Sequence, residues 1–312
     1  MSSCYRSIHM PGPAASPSQQ APVAGSPPLV SVVVTAGHHG RHLPQAVHSI
    51  GSPEIPVETI VIRDPTEDDG AVARARNAGL AKCRGEYVVF LSADDRLAPG
   101  ALELGAAKLE EHPEAAFVFG RCLQTDADGT VLPTEPRLRI VRDHYRELLR
   151  QNYIWMAAMV MFRRDALARA GGFTEIVRAP SEYDLYLRIS RHHPVQDHGQ
   201  VVAFCRLDRR AAARKAPLLL RETLEVLRRQ RPFLEADLSS LIAYAEGWAM
   251  WQERYGSSVV NEIRAGVKNR EWMSALRNTA TLLRYHPRGL WHHARRWTRL
   301  PHRYGGRAMP AS

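Results

Sequence analysis

Between residues 29 and 126 short apolar runs alternate with segments of helical spacing. LVSVVVT (29–35) is β-branched and uninterrupted by charge, the pattern of a strand buried on both faces. The polar turn AGHHGRH and the helix-like LPQAVHSI follow, and then a second strand, VETIVIRD (57–64), closed by the turn-rich PTEDDG. AVARARNAGLAKC has helical character, GEYVVFLSADD ends as a third strand, ALELGAAKLEEHP reads as an amphipathic helix stopped by Pro113, and AAFVFGRCLQTD reads as a further strand before the turn DADG. From about residue 145 the pattern changes to a strand-like MVMF, a short helix, a Gly-Gly turn and an acidic helix start in SEYDLYLRI. Beyond residue 206 nearly everything is helical, and no internal repeat is present. Strands alternating with helices at this interval predict an α/β fold, a Rossmann-like and mostly parallel sheet flanked by helices, with a helical extension at its C-terminal end.

Composition changes this picture in three places. The formal charge of +10 is concentrated in residues 206–312, which carry 21 Lys+Arg against 9 Asp+Glu. Residues 1–28 are rich in Pro, Ser, Ala and Gln without the continuous apolar core of a signal peptide, and are expected to be a disordered leader. The predicted organisation is thus a leader (1–28), an α/β domain (29–205) and a basic helical region (206–312). Cys4, Cys83, Cys122 and Cys205 are too few for a disulfide framework and too far apart for a metal clip, so reduced thiols in a cytoplasmic protein are expected. The longest apolar run, IWMAAMVMF, is about half the ~20 residues needed to cross a bilayer.

Candidate chemistry lies at the strand ends. In such sheets ligands bind at the carboxyl ends of the strands, where Asp64 and the adjacent Asp94 and Asp95 fall on one predicted rim. Acidic residues there can also cap helices or form Asx-turns. Paired carboxylates suit a hard divalent cation, Mg²⁺ or Mn²⁺, that in turn binds a diphosphate.

Four segments, in order, carry a resemblance. SVVVTAGHHGRHLPQAVHSI, VETIVIRDPTEDDG, ARARNAGLAKCRGEYVVFLSADD and MFRRDALARAGGFTE followed by SEYDLYLRI together resemble the family 2 glycosyltransferases of the GT-A fold over about residues 29–205. The resemblance implies an inverting, metal-dependent transfer of a sugar from a nucleotide-diphosphate sugar, a UDP-sugar first among them, to a hydroxyl of a saccharide, lipid-linked or small-molecule acceptor, in cell-envelope polysaccharide, glycolipid or glycoconjugate synthesis. It implies donor-binding roles for Thr35, Asp64, Arg74, Arg76, Asn77 and Asp94, and a metal-ligating role for Asp95. Glu182 falls where the family has its catalytic base, normally an Asp, with Asp184 as the substitute; the bland alternative is that both form the acidic first turn of a helix. A noncatalytic nucleotide-sugar-binding or scaffolding relative is the alternative function. Neither a nucleotidyltransferase nor a nucleic-acid-binding protein is expected, since a Gly-rich basic loop after the first strand and a recognisable binding module are both missing from the sequence.

The segment RGLWHHARRWTRL (288–300) mixes Trp and Arg, which suits peripheral contact with an anionic membrane, on the inner face if the protein is cytoplasmic. The competing expectation is that Trp248, Trp251, Trp272 and Trp291 pack helices against the α/β domain.

Overall fold

The computed structural model describes residues 27–37, 40–64, 70–126, 128–133, 140, 142–177, 180–206, 214–235 and 237–287. The expected leader, apart from Pro27 and Pro28, and the segment RGLWHHARRWTRL lie outside them, as does Trp291. Strand β1 (Val30–Ala36), buried along its whole length, is followed by α1 (Leu43–His48), β2 (Val57–Arg63), α2 (Ala71–Leu80), β3 (Tyr87–Ser92), the two-residue β4 (Arg96–Leu97) and α3 (Ala101–Glu111). Then come β5 (Phe117–Thr125), α4 (His144–Arg150), β6 (Val160–Arg163), α5 (Arg164–Arg169), α6 (Ser181–Ser190) and β7 (Val195–Arg206). Three helices complete the described chain: α7 (Ala216–Gln230), α8 (Leu238–Lys268) and α9 (Trp272–Tyr285).

The strands form one seven-stranded sheet in the order β2-β1-β3-β6-β5-β7-β4. β1 pairs in parallel with β2 and β3, and β5 with β7, while β6 runs antiparallel to both β3 and β5 and β4 antiparallel to β7. Five strands therefore share one direction, and the carboxyl ends of β1, β2, β3, β5 and β7 lie along one rim. The reversed β6 separates two parallel groups, a detail that strand-helix alternation does not reveal because it is reached through irregular chain.

Packing of α2 on the sheet decides what reaches the rim. A Cβ on Gly79 would lie 2.2 Å from a Val33 methyl carbon, so glycine there lets α2 press against β1. Arg76, one turn earlier on the same face, is carried inside with it and is 5% exposed. The C-terminal helices are continuous with this core. Gly247 of α8 is in contact with the end of α4, where a Cβ would stand 1.9 Å from the Leu149 carbonyl oxygen. Trp251 is buried and stacks on Tyr255 with centroids 5.3 Å apart, Trp248 packs against Tyr244, and Trp272 is exposed. The expectation that the tryptophans pack the helices therefore holds for Trp248 and Trp251 and fails for Trp272. No helix among the described residues is long and apolar enough to cross a membrane.

Candidate active site

The rim is closed by a turn immediately after β3. Ala93 N–H donates to the Thr35 carbonyl (2.8 Å), joining the ends of β1 and β3, and Asp95 N–H donates to the Ser92 carbonyl (3.0 Å). This turn sends the adjacent carboxylates apart: Asp94 is exposed, while Asp95 turns inward beneath the end of β7, whose Arg206 N–H points at it from 3.4 Å. Burial pushes the Asp95 carboxyl up to about 7, with repulsion from Asp94 adding to the shift; the Arg206 N–H, the Cys205 thiol and the Arg76 guanidinium oppose it. β4 holds β7 in place, pairing Arg96 with Phe204 and Leu97 with Ala203.

Arg76 also faces Glu182. Its Nη1 lies 2.7 Å from Glu182 Oε1, and the guanidinium sits 5.2 Å from the centroid of Phe173. Burial alone would raise the pKa of Glu182, but the Arg76 charge, together with hydrogen bonds, holds it below the ordinary carboxylate value. Among the described residues, Arg76 Nε and Tyr186 Oη, both buried, have no hydrogen-bond partner. Burial raises the Tyr186 hydroxyl well above its usual pKa, reinforced by the nearby Glu182 charge. Asp95, Arg76, Glu182 and the Tyr186 hydroxyl thus share one electrostatic environment, assembled from the β3 turn, α2 and α6.

The platform under Arg76 is built by the Gly-Gly turn. Gly171 and Gly172 both have positive φ (74° and 68°), which suits glycine. The turn is gripped from both sides. Asn77 accepts from Phe173 N–H (2.9 Å) and donates to the Phe173 carbonyl (2.9 Å), while Arg188 donates to the carbonyls of Ala170 and Gly172. Phe173 is then fixed edge-on against Phe90, with centroids 4.8 Å apart.

Two of the expected site residues have structural partners. Asn77 uses both ends of its amide to hold Phe173 and so positions the platform. Asp184 is buried and accepts from Thr174 Oγ1 and Arg188 Nε, each at 2.7 Å, which makes it the anchor of Arg188 and not a spare base. The remaining candidates stand on the rim: Thr35 is buried at the end of β1, and Asp64, just past β2, lies 3.6 Å from Arg74. Sequence reasoning missed Tyr186, Cys205 and Arg206. Tyr186 reads as one more apolar position of an amphipathic helix, and nothing in VQDHGQVVAFCR signals that its last residues fold over Asp95.

Among the described residues no cluster of three or more His, Cys, Asp or Glu could hold a metal ion. Of the two adjacent acids only Asp95 turns inward, and one or two carboxylates suffice for a hard cation that takes its other positions from phosphate and water.

Residues 41–171 match the family model described as Glycosyl transferase family 2. Asp64, Arg74, Arg76, Asn77, Asp94 and Asp95 fall inside the match, whereas Thr35, Glu182 and Asp184 fall outside it. The O-antigen biosynthesis protein RfbC of Myxococcus xanthus is 31% identical over 162 residues, covering 52% of this chain and 12% of that protein. The amylovoran biosynthesis glycosyltransferase AmsE of Erwinia amylovora is 28% identical over 132 residues, 42% of this chain and 48% of its own length. The chain thus spans less than half the length of either relative. The crystal structure of S. aureus TarS 1-349 in complex with UDP-GlcNAc superposes with a TM-score of 0.57 at 15% identity, covering 86% of this chain and 87% of that one, which shows a shared GT-A fold. The sheet, its acidic rim and the matched segment agree, with residues 41–171 carrying the match to glycosyl transferase family 2.

Proposed function

We propose that this chain transfers a sugar, with inversion, from a nucleotide-diphosphate sugar to an acceptor hydroxyl. The observation that carries the reading is the convergence of Asp95, Arg76 and Glu182 from three separate elements, with buried polar atoms of Arg76 and Tyr186 left unsatisfied for a ligand. TarS was crystallised with UDP-GlcNAc, which supports a UDP-sugar as the first donor to try.

Glu182 is the base. Held ionised by Arg76, it takes the proton from the acceptor hydroxyl as that oxygen bonds to the anomeric carbon and the bond from that carbon to the diphosphate oxygen breaks. A carboxylate whose pKa is lowered by an ion pair is a weak base. Arg76 would resolve this conflict: its Nε is buried without a hydrogen-bond partner, and if a diphosphate draws on the guanidinium charge the hold on Glu182 weakens and the carboxylate becomes more basic. Asp64 and Thr35 line the nucleoside end, while Asp184, Arg188 and Asn77 keep Phe173, and so Arg76, in register. Asp95 with Asp94 would hold Mg²⁺ or Mn²⁺, which when bound supplies positive charge to the departing diphosphate.

The test is a thermal-shift panel of UDP-, GDP- and dTDP-sugars with Mn²⁺, run beside a transfer assay. Glu182→Gln is expected to bind the selected donor as wild type does and to lose turnover by about 10²- to 10⁴-fold. Wild-type turnover in this variant removes Glu182 from the reaction, and donor binding without turnover in the native chain favours a noncatalytic relative.

A further inference from the structure

Helix α9 presents its apolar side to solvent. Only Ala275 and Leu282 of its fourteen residues are buried, where the helix packs on α7 and α8, whereas Trp272 is 58%, Met273 71%, Leu276 64% and Leu283 55% exposed. At about 100° of rotation per residue, Trp272, Leu283, Leu276, Ala280 and Met273 fall within one arc of about 100°, whose centre lies about 120° around the helix from the buried pair. Arg284 and Arg277 occupy the next ~40° of the same surface. The helix has no Asp or Glu of its own, and among the described residues neither arginine is paired with a carboxylate. Exposed Arg264, Lys268 and Arg270 at the end of α8 and in the turn into α9 extend the cationic border, beside a half-exposed Val267.

We propose that this face is the docking surface for an anionic lipid bilayer. α9 is about 21 Å long, too short to span ~30 Å of hydrocarbon, so it lies in the plane of the interface. Trp272 and the leucines then enter the acyl boundary while Arg277 and Arg284 meet headgroup phosphates. Charge complementarity selects lipid over a second copy of the chain, since two such faces brought together would oppose their own cationic borders. The contact is separate from the residues 288–300 that the sequence singled out, and it does not depend on the donor chemistry at the rim.

The full chain is tested by co-sedimentation with vesicles of phosphatidylcholine alone and of phosphatidylcholine with an equal part of phosphatidylglycerol. Wild type is expected to bind the anionic vesicles and to be released by 0.5 M salt. Leu276→Glu/Leu283→Glu should bind about tenfold or more weakly, and Arg277→Glu/Arg284→Glu several-fold more weakly, with circular dichroism and melting temperature unchanged because all four side chains are exposed. Failure of wild type to prefer anionic vesicles overturns the proposal. So does equal sedimentation of the Leu276→Glu/Leu283→Glu variant, the result expected if residues 288–312 make the contact. A self-association measured by analytical ultracentrifugation that this variant abolishes, with no vesicle binding by either protein, assigns the face to a second copy instead.

Discussion

The acidic rim and helix α9 break the ordinary rule of burial in opposite senses. At the rim, charge is inside: Arg76 is 5% exposed, the Glu182 carboxylate lies against it, and the Asp95 carboxyl feels its charge. On α9, bulky apolar groups are outside. The energetic consequences differ. A buried charge is tolerated only while its partners stay in place, so Asp95, Arg76 and Glu182 are each fixed by backbone or side-chain contacts, and the fold around them is stiff. An exposed leucine strains nothing, so α9 can be rewritten without disturbing the sheet. Both departures carry the proposed functions, but only the one at the rim is coupled to stability.

Substitutions can break or sharpen this contrast. The largest expected effect is at Asp95. Asp95→Asn keeps the shape and removes the charge, so transfer should fall by about two orders of magnitude or more while the fold survives, measured by initial rates and circular dichroism. Normal transfer would detach the rim from catalysis. Next comes Arg76→Ala, which leaves Glu182 buried without its partner and should cost about 3 kcal/mol in urea denaturation. Combining it with Glu182→Gln should recover most of that loss; additive losses would mean that the ion pair is incidental. Gly247→Ala should cost about 1–3 kcal/mol by forcing α8 off the Leu149 carbonyl, against a change within about 0.5 kcal/mol for Leu276→Glu on α9.

The smallest effect is a pH slope. The folded pKa of Asp95, about 7 against an ordinary 3.8, means the native state holds this proton more tightly than the unfolded chain does. Its contribution to stability is therefore complete at pH values below about 4 and is lost as the pH rises through about 7. Without divalent cation, the melting temperature should decline across that window, and the Asp95 contribution to the slope should vanish in Asp95→Asn. Mn²⁺ should restore stability at the alkaline end, and a wild-type slope retained in the variant would assign it to other groups.

Much of the fold was legible in the chain because strands buried on both faces must be continuously apolar. β1 and β3 read directly from VSVVVT and YVVFLS, and the helix following Gly100 from the spacing of Leu102, Ala106 and Leu109. β7 was not legible. Its Gln196, Asp197, His198 and Gly199 interrupt any period, and it pairs with β5 only through a register shift near Gly120, where a Cβ would lie 2.4 Å from the Gln200 carbonyl oxygen. Of the candidate site, Asp95 and Glu182 stand at the strand end and helix start that the sequence marks, while Asp184 and Asn77, at equally suggestive positions, are engaged by Arg188 and Phe173.

The sequence by itself determined which segments become strands and helices, where the acids fall along the rim and where positive charge accumulates, because periodicity, backbone preference and composition are local properties. Only the tertiary structure decided that Arg76 faces Glu182, that the end of β7 covers Asp95, and that Trp251 is buried while Trp272 is not. Those outcomes depend on contacts between residues far apart in the chain, such as Arg206 with Asp95, 111 positions away, and on how closely one helix can approach its neighbour. Burial and charge pairing are set by that approach, and no local pattern encodes it.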